Sequence, residues 1–356
     1  MLRVGLVGCG KIADGHVEQI RAIGRAELVA VCDREPRMAE QLATRMDIAG
    51  RYVDVADMIR AERLDILHIA TPPDTHLPIA ELALEAGCHL FVEKPFALTA
   101  GDARRIYEAA GRAGRQVSVN YLYNYESVAL DLERMLAAGR LGDVVHMDVC
   151  YGYNLAGDYG MAVLADPNHW VHRLPGKLFH NVLDHVVSKI APHIGDDFTV
   201  DVLAFRRRPA SGVAMLDDME DELRFALRSG SVTASGLVSA HARPVSHVLR
   251  MIGTRDSVEV DYAARTLVFA ARQAQPSALG RLFPPWVQAR QFARNGLRNL
   301  AEFRRYRFQY FAGMRELLAR FYDAIARGAP EPIPSAEVVR VCSVIDAIVA
   351  GVRAAR

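Results

Sequence analysis

The feature that most constrains the fold is an alternation of short β-branched runs with helical stretches from residue 2 to about 120. The strand-like runs include "LRVGLVG", "ELVAVC", "DILHIA" and "HLFVE", and the stretches that separate them have helical periodicity. Alternating strands and helices form right-handed βαβ units, which build a parallel sheet covered on both faces. The sequence therefore predicts an α/β protein with a doubly wound domain at residues 1–120.

After residue 120 the pattern changes to consecutive strands. A helix near 126–139 and a strand in "DVVHMDVCYGY" come first, and amphipathic helices at about 311–327 and 335–354 close the chain. Alternating apolar and polar residues predict further strands at 198–206, 221–228, 231–239, 246–252, 256–260 and 265–270. We expect a second α/β domain at 121–356 with an open, mainly antiparallel sheet, whose closing helices can pack back on the first domain.

Charge, cysteine usage and hydropathy narrow the class of protein. The chain has 43 basic and 42 acidic residues, which gives no global argument for nucleic acid or an anionic surface. Five widely spaced cysteines without a Cys-x-x-Cys pair favour a reducing compartment. The N-terminus is too short and glycine-broken for a signal peptide, and no uncharged apolar run reaches 18 residues. We expect a cytoplasmic protein with no nucleic-acid partner and no integral membrane segment.

A glycine motif follows the first predicted strand. In "VGLVGCGKIADGH", Gly8 allows a tight turn, Gly10 lets the backbone approach a pyrophosphate, and Ala13 lets the helix pack closely on the strand. Asp33 ends the second strand, where its carboxylate can bind both ribose hydroxyls and repel a 2'-phosphate. This favours NAD and a Rossmann domain, while Arg34 keeps NADP open. The cofactor contacts predicted here are Gly8, Gly10, Lys11, Ile12, Asp33 and Arg34.

Two further segments fall at the carboxyl ends of predicted strands, where a doubly wound fold binds its cofactor. "IATPPDTHLPIA" makes a stiff loop with Thr71 and Pro72, and His76 either contacts cofactor or substrate or caps the next helix. "CHLFVEKPF" places Glu93 and Lys94 at the cofactor crevice, and a cis Lys94-Pro95 bond is compatible with it. A lysine there can donate and accept protons, whereas taken alone it would be an exposed loop residue.

The motifs "GCGKIA", "ATPPDTH" and "EKP", in this order and spacing, resemble the Gfo/Idh/MocA family, the glucose-fructose oxidoreductase and inositol dehydrogenase relatives. The resemblance continues through "RLGDVVHMDVCY" and "ELLARFYDAIARGAPEPIPSAEVVRVCSVIDAI". It implies a Rossmann domain followed by an α/β domain whose open sheet carries substrate and oligomer contacts. It also implies oxidation or reduction of a sugar or cyclitol carbon with NAD(P), a catalytic role for Lys94, and a homo-oligomer.

The family's third signature is a glycine-rich segment followed by Asp-x-x-x-His on a helix. "PGKLFHNVLDH" matches it with His185 at the histidine position, but has Asn181 for the acid and Lys177 for a glycine. An asparagine can orient a substrate hydroxyl but cannot act as a base, so Asp184 becomes the candidate carboxylate. The resemblance thus implies three catalytic residues, Lys94, His185 and Asn181.

The same helix, predicted over 176–190, allows two other interpretations. His180 and Asp184 share one helical stripe and are metal-ligand types, but His185 points about 100° away from Asp184, so no metal is predicted. Histidines satisfied by hydrogen bonds in the core remain an alternative. For a carbohydrate-like small molecule, the predicted substrate contacts are Tyr121, Tyr123, Asn124, Trp170, His180 and Asp184.

Together these motifs predict reversible oxidation of a secondary alcohol on a sugar, nucleotide-sugar or cyclitol. His185 or Lys94 accepts the hydroxyl proton and the other residue hydrogen-bonds the developing ketone, while hydride passes to nicotinamide. Two alternatives stay open: a dehydrogenase of a non-sugar substrate, and a dinucleotide-binding regulator without turnover. The second is favoured by Asn181, which stands where the family has an acid.

The stretch 272–307 interrupts the sheet pattern with eight arginines against one acid, Glu302. Arg290, Arg294 and Arg298 recur every four residues on a predicted helix, and the sequence assigns apolar contacts to Val287, Phe292, Leu297 and Leu300. A solvated helical lid or subunit contact is one interpretation. The other is a surface for phosphate groups or anionic lipid, with peripheral membrane contact through 286–307.

Overall fold

The computed structural model describes residues 1–155, 157–208, 217–270, 282–305 and 308–354, and the chain divides into two compact units. The first unit consists of Met1–Leu122 and Gly313–Asp346, and the second consists of Tyr123–Ala312 and Ala347–Arg356. The division at residue 122 lies two residues beyond the expected boundary. The segment 313–346, which contains most of the closing helices, belongs to the first unit.

The first unit is built on a parallel sheet. Its strand order is β3-β2-β1-β4-β5-β6, and all of these pairs are parallel. This order is that of a dinucleotide-binding doubly wound fold, with the carboxyl ends of the strands along one edge. The strands are β1 (Leu2–Val7), β2 (Ala26–Cys32), β3 (Gly50–Tyr52), β4 (Ile66–Ile69), β5 (His89–Val92) and β6 (Val117–Val119).

Helices follow the strands of this sheet and bury it. Leu6, Ile66 and Phe91 are inaccessible to solvent, and the Phe321 ring packs with its centroid 6.0 Å from that of Phe91. Asp54 and Thr99 cap α3 and α5 by accepting from backbone N–H groups in the first turn. The helices are α1 (Ala13–Ile23), α2 (Pro36–Arg45), α3 (Val55–Glu62), α4 (His76–Glu85), α5 (Ala100–Ala113) and, from the closing segment, α11 (Ala312–Arg327).

The second unit contains a mixed sheet in the order β13-β12-β11-β7-β10-β9-β8. Its pairs are antiparallel except for β7 with β10, which confirms the prediction of an open, mainly antiparallel sheet. The strands are β7 (Val144–Gly152), β8 (Thr199–Phe205), β9 (Glu222–Ser229), β10 (Val232–Ser239), β11 (His247–Gly253), β12 (Ser257–Asp261) and β13 (Thr266–Phe269). The α/β fold class predicted from the sequence is therefore correct.

The remaining helices are α6 (Ser127–Ala137), α7 (Asp158–Ala165), α8 (Lys177–Val182), α9 (Asp184–Ile190), α10 (Pro284–Arg304) and α12 (Ser335–Ala354). The single helix predicted over 176–190 is divided at Leu183, although that residue keeps helical dihedral angles. The carbonyl of Leu183 accepts from both Val186 and Val187, which tightens the chain locally. Within the described ranges, no helix combines the length and apolarity needed to cross a bilayer.

One expectation for the 272–307 stretch is wrong. Val287, Phe292, Leu297 and Leu300 were assigned apolar contacts, yet each is at least 46% exposed on α10. Asn295 is instead the buried residue of this helix, because polar side chains of α10 pair with the backbone of β13. Residues 272–281 and 306–307 lie outside the described residues.

Candidate active site

The glycine loop begins where β1 ends. Gly8 has φ +94°, and its N–H donates to the carbonyl of Cys32 over 2.9 Å. A Cβ at Gly8 would lie 2.6 Å from the carbonyl carbon and oxygen of Ala70 and 2.8 Å from the nitrogen of Thr71. Only glycine fits this conformation and this close approach, so the turn brings the loop against the residues that follow β4.

The surroundings of Gly10 are open, whereas those of Gly8 are crowded. A Cβ added there would meet nothing within 4 Å, and the residue is exposed. The carbonyl of Gly10 accepts from Ala13 over 3.0 Å where α1 begins, with Lys11 and Ile12 between them. Backbone that is open to solvent at a helix N-terminus can bind a pyrophosphate, so this loop fits a dinucleotide.

Asp33 is brought to the same loop from the end of β2. Its Oδ2 accepts from the N–H of Cys9 over 2.8 Å, and its Oδ1 accepts from the N–H of Glu35 over 2.9 Å. The carboxylate is half-buried, and Arg34 beside it is exposed. The acid predicted for the ribose therefore adjoins the glycine loop, as the dinucleotide fingerprint requires.

His76 lies inside the first unit and ties two loops together. One ring nitrogen is 2.8 Å from the carbonyl of Thr71 and the other is 3.1 Å from that of Phe96. Burial lowers the pKa of His76, and this effect outweighs the hydrogen bonds to the two carbonyls, which raise the pKa. The capping alternative is wrong, because His76 is the first residue of α4 and no side chain caps that helix. Thr71 and Pro72 are half-buried in the loop that His76 fastens.

Lys94 follows directly on β5. It is half-buried, its backbone N–H donates to Oε2 of Glu93 over 3.2 Å, and the Lys94-Pro95 bond is cis, as the sequence allowed. Glu93 itself is 7% exposed. The two residues stand at the carboxyl edge of the parallel sheet, as Gly8 and Asp33 do. Catalysis by Lys94 stays a prediction.

The structure adds a buried chain of hydrogen bonds that ends at Glu93. Nε2 of His16 is 2.9 Å from Oε1 of Glu93, Nδ1 of His16 is 2.8 Å from Nδ1 of His68, and Nε2 of His68 is 2.9 Å from the Tyr322 hydroxyl. Asn120 donates to the same Glu93 oxygen over 2.6 Å. Sequence reasoning missed these four partners, since Tyr322 lies 254 residues from His68.

In this chain of hydrogen bonds, the carboxylate of Glu93 decides which neighbour donates. Burial raises the pKa of Glu93, but the hydrogen bonds from His16 and Asn120 and the charge of Lys94 outweigh it and lower the pKa. An ionised carboxylate only accepts, and burial lowers the pKa of His68, which keeps that ring neutral. His16 therefore donates to Glu93 through Nε2. With a neutral His16, His68 donates to His16 and the Tyr322 hydroxyl donates to His68.

The signature segment of the second unit buries most of its polar groups. His180, Asn181 and Asp184 are 2%, 4% and 1% exposed, whereas His185 is half-buried. Lys177, which stands where the family has glycine, has φ +48°, in the left-handed region that glycine prefers. The lysine side chain donates to Asp218 over 2.5 Å. The glycine-like turn before α8 is therefore kept without the glycine.

His185 lies among aromatic rings. Its centroid is 5.0 Å from that of Tyr123 and 4.9 Å from that of Tyr151, and His247 packs against both tyrosines at 4.6 and 5.0 Å. Tyr123 was predicted from the sequence, but Tyr151 and His247 were not. Their proximity depends on the register of β7 with β11, in which His247 pairs with Tyr151.

Lys189 is a second residue that sequence reasoning missed. Its Nζ donates to the carbonyl of His185 over 2.6 Å and lies 4.6 Å from the centroid of Tyr262. Burial lowers the pKa of Lys189 to about 7, although the carboxylate of Glu126 acts in the opposite direction. An ammonium group that loses its proton near neutral pH thus supports the backbone of His185.

This shift predicts a pH-dependent stability difference for Lys189→Met. The folded-state pKa is depressed from 10.5 to about 7, so between these values the unfolded state binds more protons and the free energy of unfolding rises with pH. Methionine removes this contribution. Denaturant unfolding should show the greatest stability advantage of K189M over wild type at pH 7 or below, and a shrinking one toward pH 10. The control is K177M. A stability difference between K189M and wild type that is as independent of pH as that of K177M would contradict the prediction.

The other predicted substrate residues lie in different surroundings. Asn124 donates to the carbonyl of Ser188 over 3.0 Å, which ties it to α9. Trp170 stacks on His169 with centroids 5.5 Å apart, in a short turn before α8. Tyr121 is buried in the first unit. Among the described residues, no group of three or more His, Cys, Asp or Glu side chains could hold a metal ion.

Comparison with known proteins matches the N-terminal 121 residues to a protein family. Residues 2–121 match the sequence model of a family described as "Oxidoreductase family, NAD-binding Rossmann fold". The chain is 36% identical over 137 residues to D-apiose dehydrogenase of Paraburkholderia graminis, which covers 38% of this chain and 36% of that protein. It is 36% identical over 143 residues to inositol 2-dehydrogenase 4 of Saccharopolyspora erythraea, covering 40% and 42%. The chain thus matches less than half the length of these relatives.

A solved structure extends the similarity of fold to both units. The WlbA dehydrogenase from Bordetella pertussis, in complex with NADH and UDP-GlcNAcA, superimposes with a TM-score of 0.76 at 21% identity, covering 100% of this chain and 96% of that one. The prediction of an NAD-binding Rossmann domain, made from the glycine motif and Asp33, is confirmed by the family match. Residues 2–121 thus match the model of the Gfo/Idh/MocA oxidoreductase family, the family that the sequence motifs resemble.

Proposed function

We propose that this chain is an NAD-dependent dehydrogenase or reductase that interconverts a secondary alcohol and a ketone on a sugar, nucleotide-sugar or cyclitol. The observation that carries the proposal is the placement of Gly8, Gly10, Asp33 and Lys94 along the carboxyl edge of one parallel sheet, in the segment that the family matches. A binding loop and a proton-handling residue at this edge are what alcohol oxidation requires.

The cofactor fits the residues present. The open backbone at Gly10 and the N-terminus of α1 would bind the pyrophosphate, and Asp33 would bind the ribose. When bound, NAD supplies the nicotinamide that accepts or donates hydride. We assign the remaining cofactor contacts to the residues predicted from the sequence, Lys11, Ile12, Arg34, Thr71, Pro72 and Glu93. His76, whose side chain is inaccessible to solvent, acts by fastening the loop that carries Thr71.

Lys94 and His185 are the two residues to which we assign proton transfer. One takes the hydroxyl proton as the alcohol is oxidised, and the other hydrogen-bonds the developing ketone oxygen; in reduction the same groups donate. The chain of hydrogen bonds from Tyr322 to Glu93 holds Glu93, the residue before Lys94, in one position. The hydrogen bond from Lys189 to the carbonyl of His185 holds the backbone of His185. The residue before Lys94 and the backbone of His185 are therefore each held in place by a hydrogen bond.

We assign the binding of substrate hydroxyls to Asn181 and its neighbours. The Asn181 amide can donate and accept a hydrogen bond but holds no charge, and we assign it a positioning role beside His180 and Asp184. Tyr121, Tyr123, Asn124 and Trp170 are proposed as further substrate contacts. The relatives support a carbohydrate-like class, since they are named for apiose and inositol and WlbA binds UDP-GlcNAcA.

The proposal is tested by substrate screening with the purified chain. Small molecules that co-purify would be identified first, and sugars, nucleotide-sugars and inositols would then be tested in both directions by the absorbance of NADH and NADPH. Turnover on one of these classes is expected. Turnover confined to non-sugar alcohols would replace the proposed substrate class with that one. NAD binding without turnover across the panel would favour a regulator. Light scattering would test the predicted homo-oligomer, and cell fractionation the predicted cytoplasmic location.

Asp33→Asn is expected to lower the ratio of NAD to NADP affinity about tenfold or more. Asparagine keeps an oxygen that can accept from Cys9 but removes the charge that repels a 2'-phosphate, and charged hydrogen bonds exceed neutral ones by about 1 kcal/mol. Calorimetric titration with both dinucleotides measures the ratio. Glu35→Gln, which removes an exposed neighbouring charge, serves as the control. An unchanged ratio in D33N would exclude this role for Asp33.

A further inference from the structure

Helix α10 is attached to its unit by a polar face. The Gln291 amide donates to and accepts from the backbone of Phe269, at 3.0 and 2.9 Å, and the Asn295 amide does the same with Leu267, at 3.0 and 3.2 Å. One helical turn of four residues rises about 6 Å, close to the roughly 6.6 Å between every second residue of a strand. The helix therefore pairs with the edge of β13 through its amide side chains.

The same polar face continues toward the end of the helix. Arg298 donates to the carbonyl of Arg265 over 2.7 Å and to Asp131 over 2.6 Å, and Asn299 donates to the carbonyl of Ala264 over 2.9 Å. Glu302 accepts from Ser127 over 3.0 Å. These contacts fix the rotation of α10 about its own axis, because each of them lies on one side of the helix.

The opposite side of α10 is apolar and exposed. Trp286, Leu297 and Leu300 lie within about 40° of the direction opposite to Asn295, and they are 71%, 69% and 46% exposed. Phe292 and Phe303 lie between this ridge and the inner face of the helix and are 52% and 66% exposed. Water-facing aromatic and leucine side chains along a helix indicate an interaction surface.

Positive charge accompanies this ridge. Arg290 and Arg294 form one flank of it, and Arg304 and Arg305 follow at the end of the helix; all four are exposed. The helix has one acid, Glu302, and that residue is on the inner face. The exposed surface thus combines bulky apolar groups with guanidinium groups and has no carboxylate of its own from α10.

We propose that α10 docks this protein on the surface of an anionic phospholipid bilayer. The ridge of Trp286, Leu297 and Leu300 would enter the boundary between headgroups and acyl chains, and Arg290 and Arg294 would bind headgroup phosphates. The partner must be negatively charged, because the charges on the exposed face of α10 are positive. A second copy of the helix brings the same arginines and offers no complementary charge, so charge favours lipid over self-association.

The proposal is tested by co-sedimentation of the full chain with vesicles. Binding is expected to mixed phosphatidylcholine–phosphatidylglycerol vesicles at low ionic strength, to be weak for phosphatidylcholine alone, and to fall at high salt. L297S/L300S and R290E/R294E should each weaken binding about tenfold or more, since the first removes two apolar side chains from the bilayer boundary and the second replaces two cations with anions. Matched variant R60E/R112E, with the same charge change on exposed residues of the first unit, should bind like wild type.

Three results would overturn the proposal. The first is no sedimentation with either kind of vesicle. The second is binding that R290E/R294E and R60E/R112E reduce equally, which would reflect net charge alone. The third is a dimer, detected by light scattering without lipid, that L297S/L300S dissociates; this would assign the face to a second copy. Thermal unfolding of each variant should match wild type, because the substituted side chains are exposed.

Discussion

Replacing Lys94 with methionine is expected to lower kcat/KM for the alcohol substrate by about 10²- to 10⁴-fold, the usual contribution of a general acid or base. NAD affinity should stay within a few-fold of wild type. Methionine keeps the length of the side chain and leaves the backbone N–H of residue 94 free to donate to Glu93. Steady-state kinetics and NAD titration measure the two effects separately, once the substrate screen has identified an alcohol.

Lys94→Arg separates proton transfer from charge. Arginine keeps a positive charge at the carboxyl end of β5 but does not release its proton at any accessible pH. If Lys94 transfers the proton, K94R is expected to be nearly as slow as K94M, and if it acts by charge alone, K94R should retain most of the activity. Near wild-type turnover by both K94M and His185→Ala would refute the assignment of proton transfer to these residues.

Gly8→Ala is expected to lower the free energy of unfolding by about 2–6 kcal/mol and to abolish measurable NAD binding. The added Cβ would lie 2.6 Å from the backbone of Ala70, and φ of +94° is strained for any residue with a Cβ. Both effects arise at the turn that brings the glycine loop against the residues after β4. Denaturant unfolding and calorimetric titration measure them.

Two other glycines are matched controls for this substitution. Gly24→Ala has a positive φ of +67° but no atom within 4 Å of the new Cβ, so it should show the backbone cost alone, about 1 kcal/mol. Gly10→Ala has neither clash nor positive φ and should leave stability unchanged while weakening NAD binding, because its Cβ would fill the space proposed for the pyrophosphate. Wild-type stability in G8A would contradict the steric account.

Local patterns predicted the fold well because they report burial directly. The strand expected at 198–206 is Thr199–Phe205, and its residues alternate between exposed and half-buried as the sequence alternates. The helix expected at 335–354 has the same bounds in the structure. The cofactor residues gather because the carboxyl ends of parallel strands share one edge, which follows from strand order alone.

Contacts that depend on tertiary register could not be predicted. His68 is a polar residue in a buried strand whose partner Tyr322 is on α11, and nothing in the local sequence of either indicates the pair. Tyr151 likewise reaches His185 through strand register. Lys189 is only four residues from His185, but its burial against Tyr262 depends on how the helix packs. Helix α10 misled the sequence argument because amphipathicity alone does not show which face is inside, and here the unpaired backbone of β13 selects the polar one.

The pairing of α10 with β13 also bears on aggregation during folding. A strand at the end of a sheet presents N–H and C=O groups that can template the addition of strands from other chains. Gln291 and Asn295 occupy these groups on Phe269 and Leu267, in the place where another strand would form its ladder. A chain whose α10 has not yet docked leaves these groups of β13 open to another strand, so the docking of this helix closes one of the two edges of the sheet.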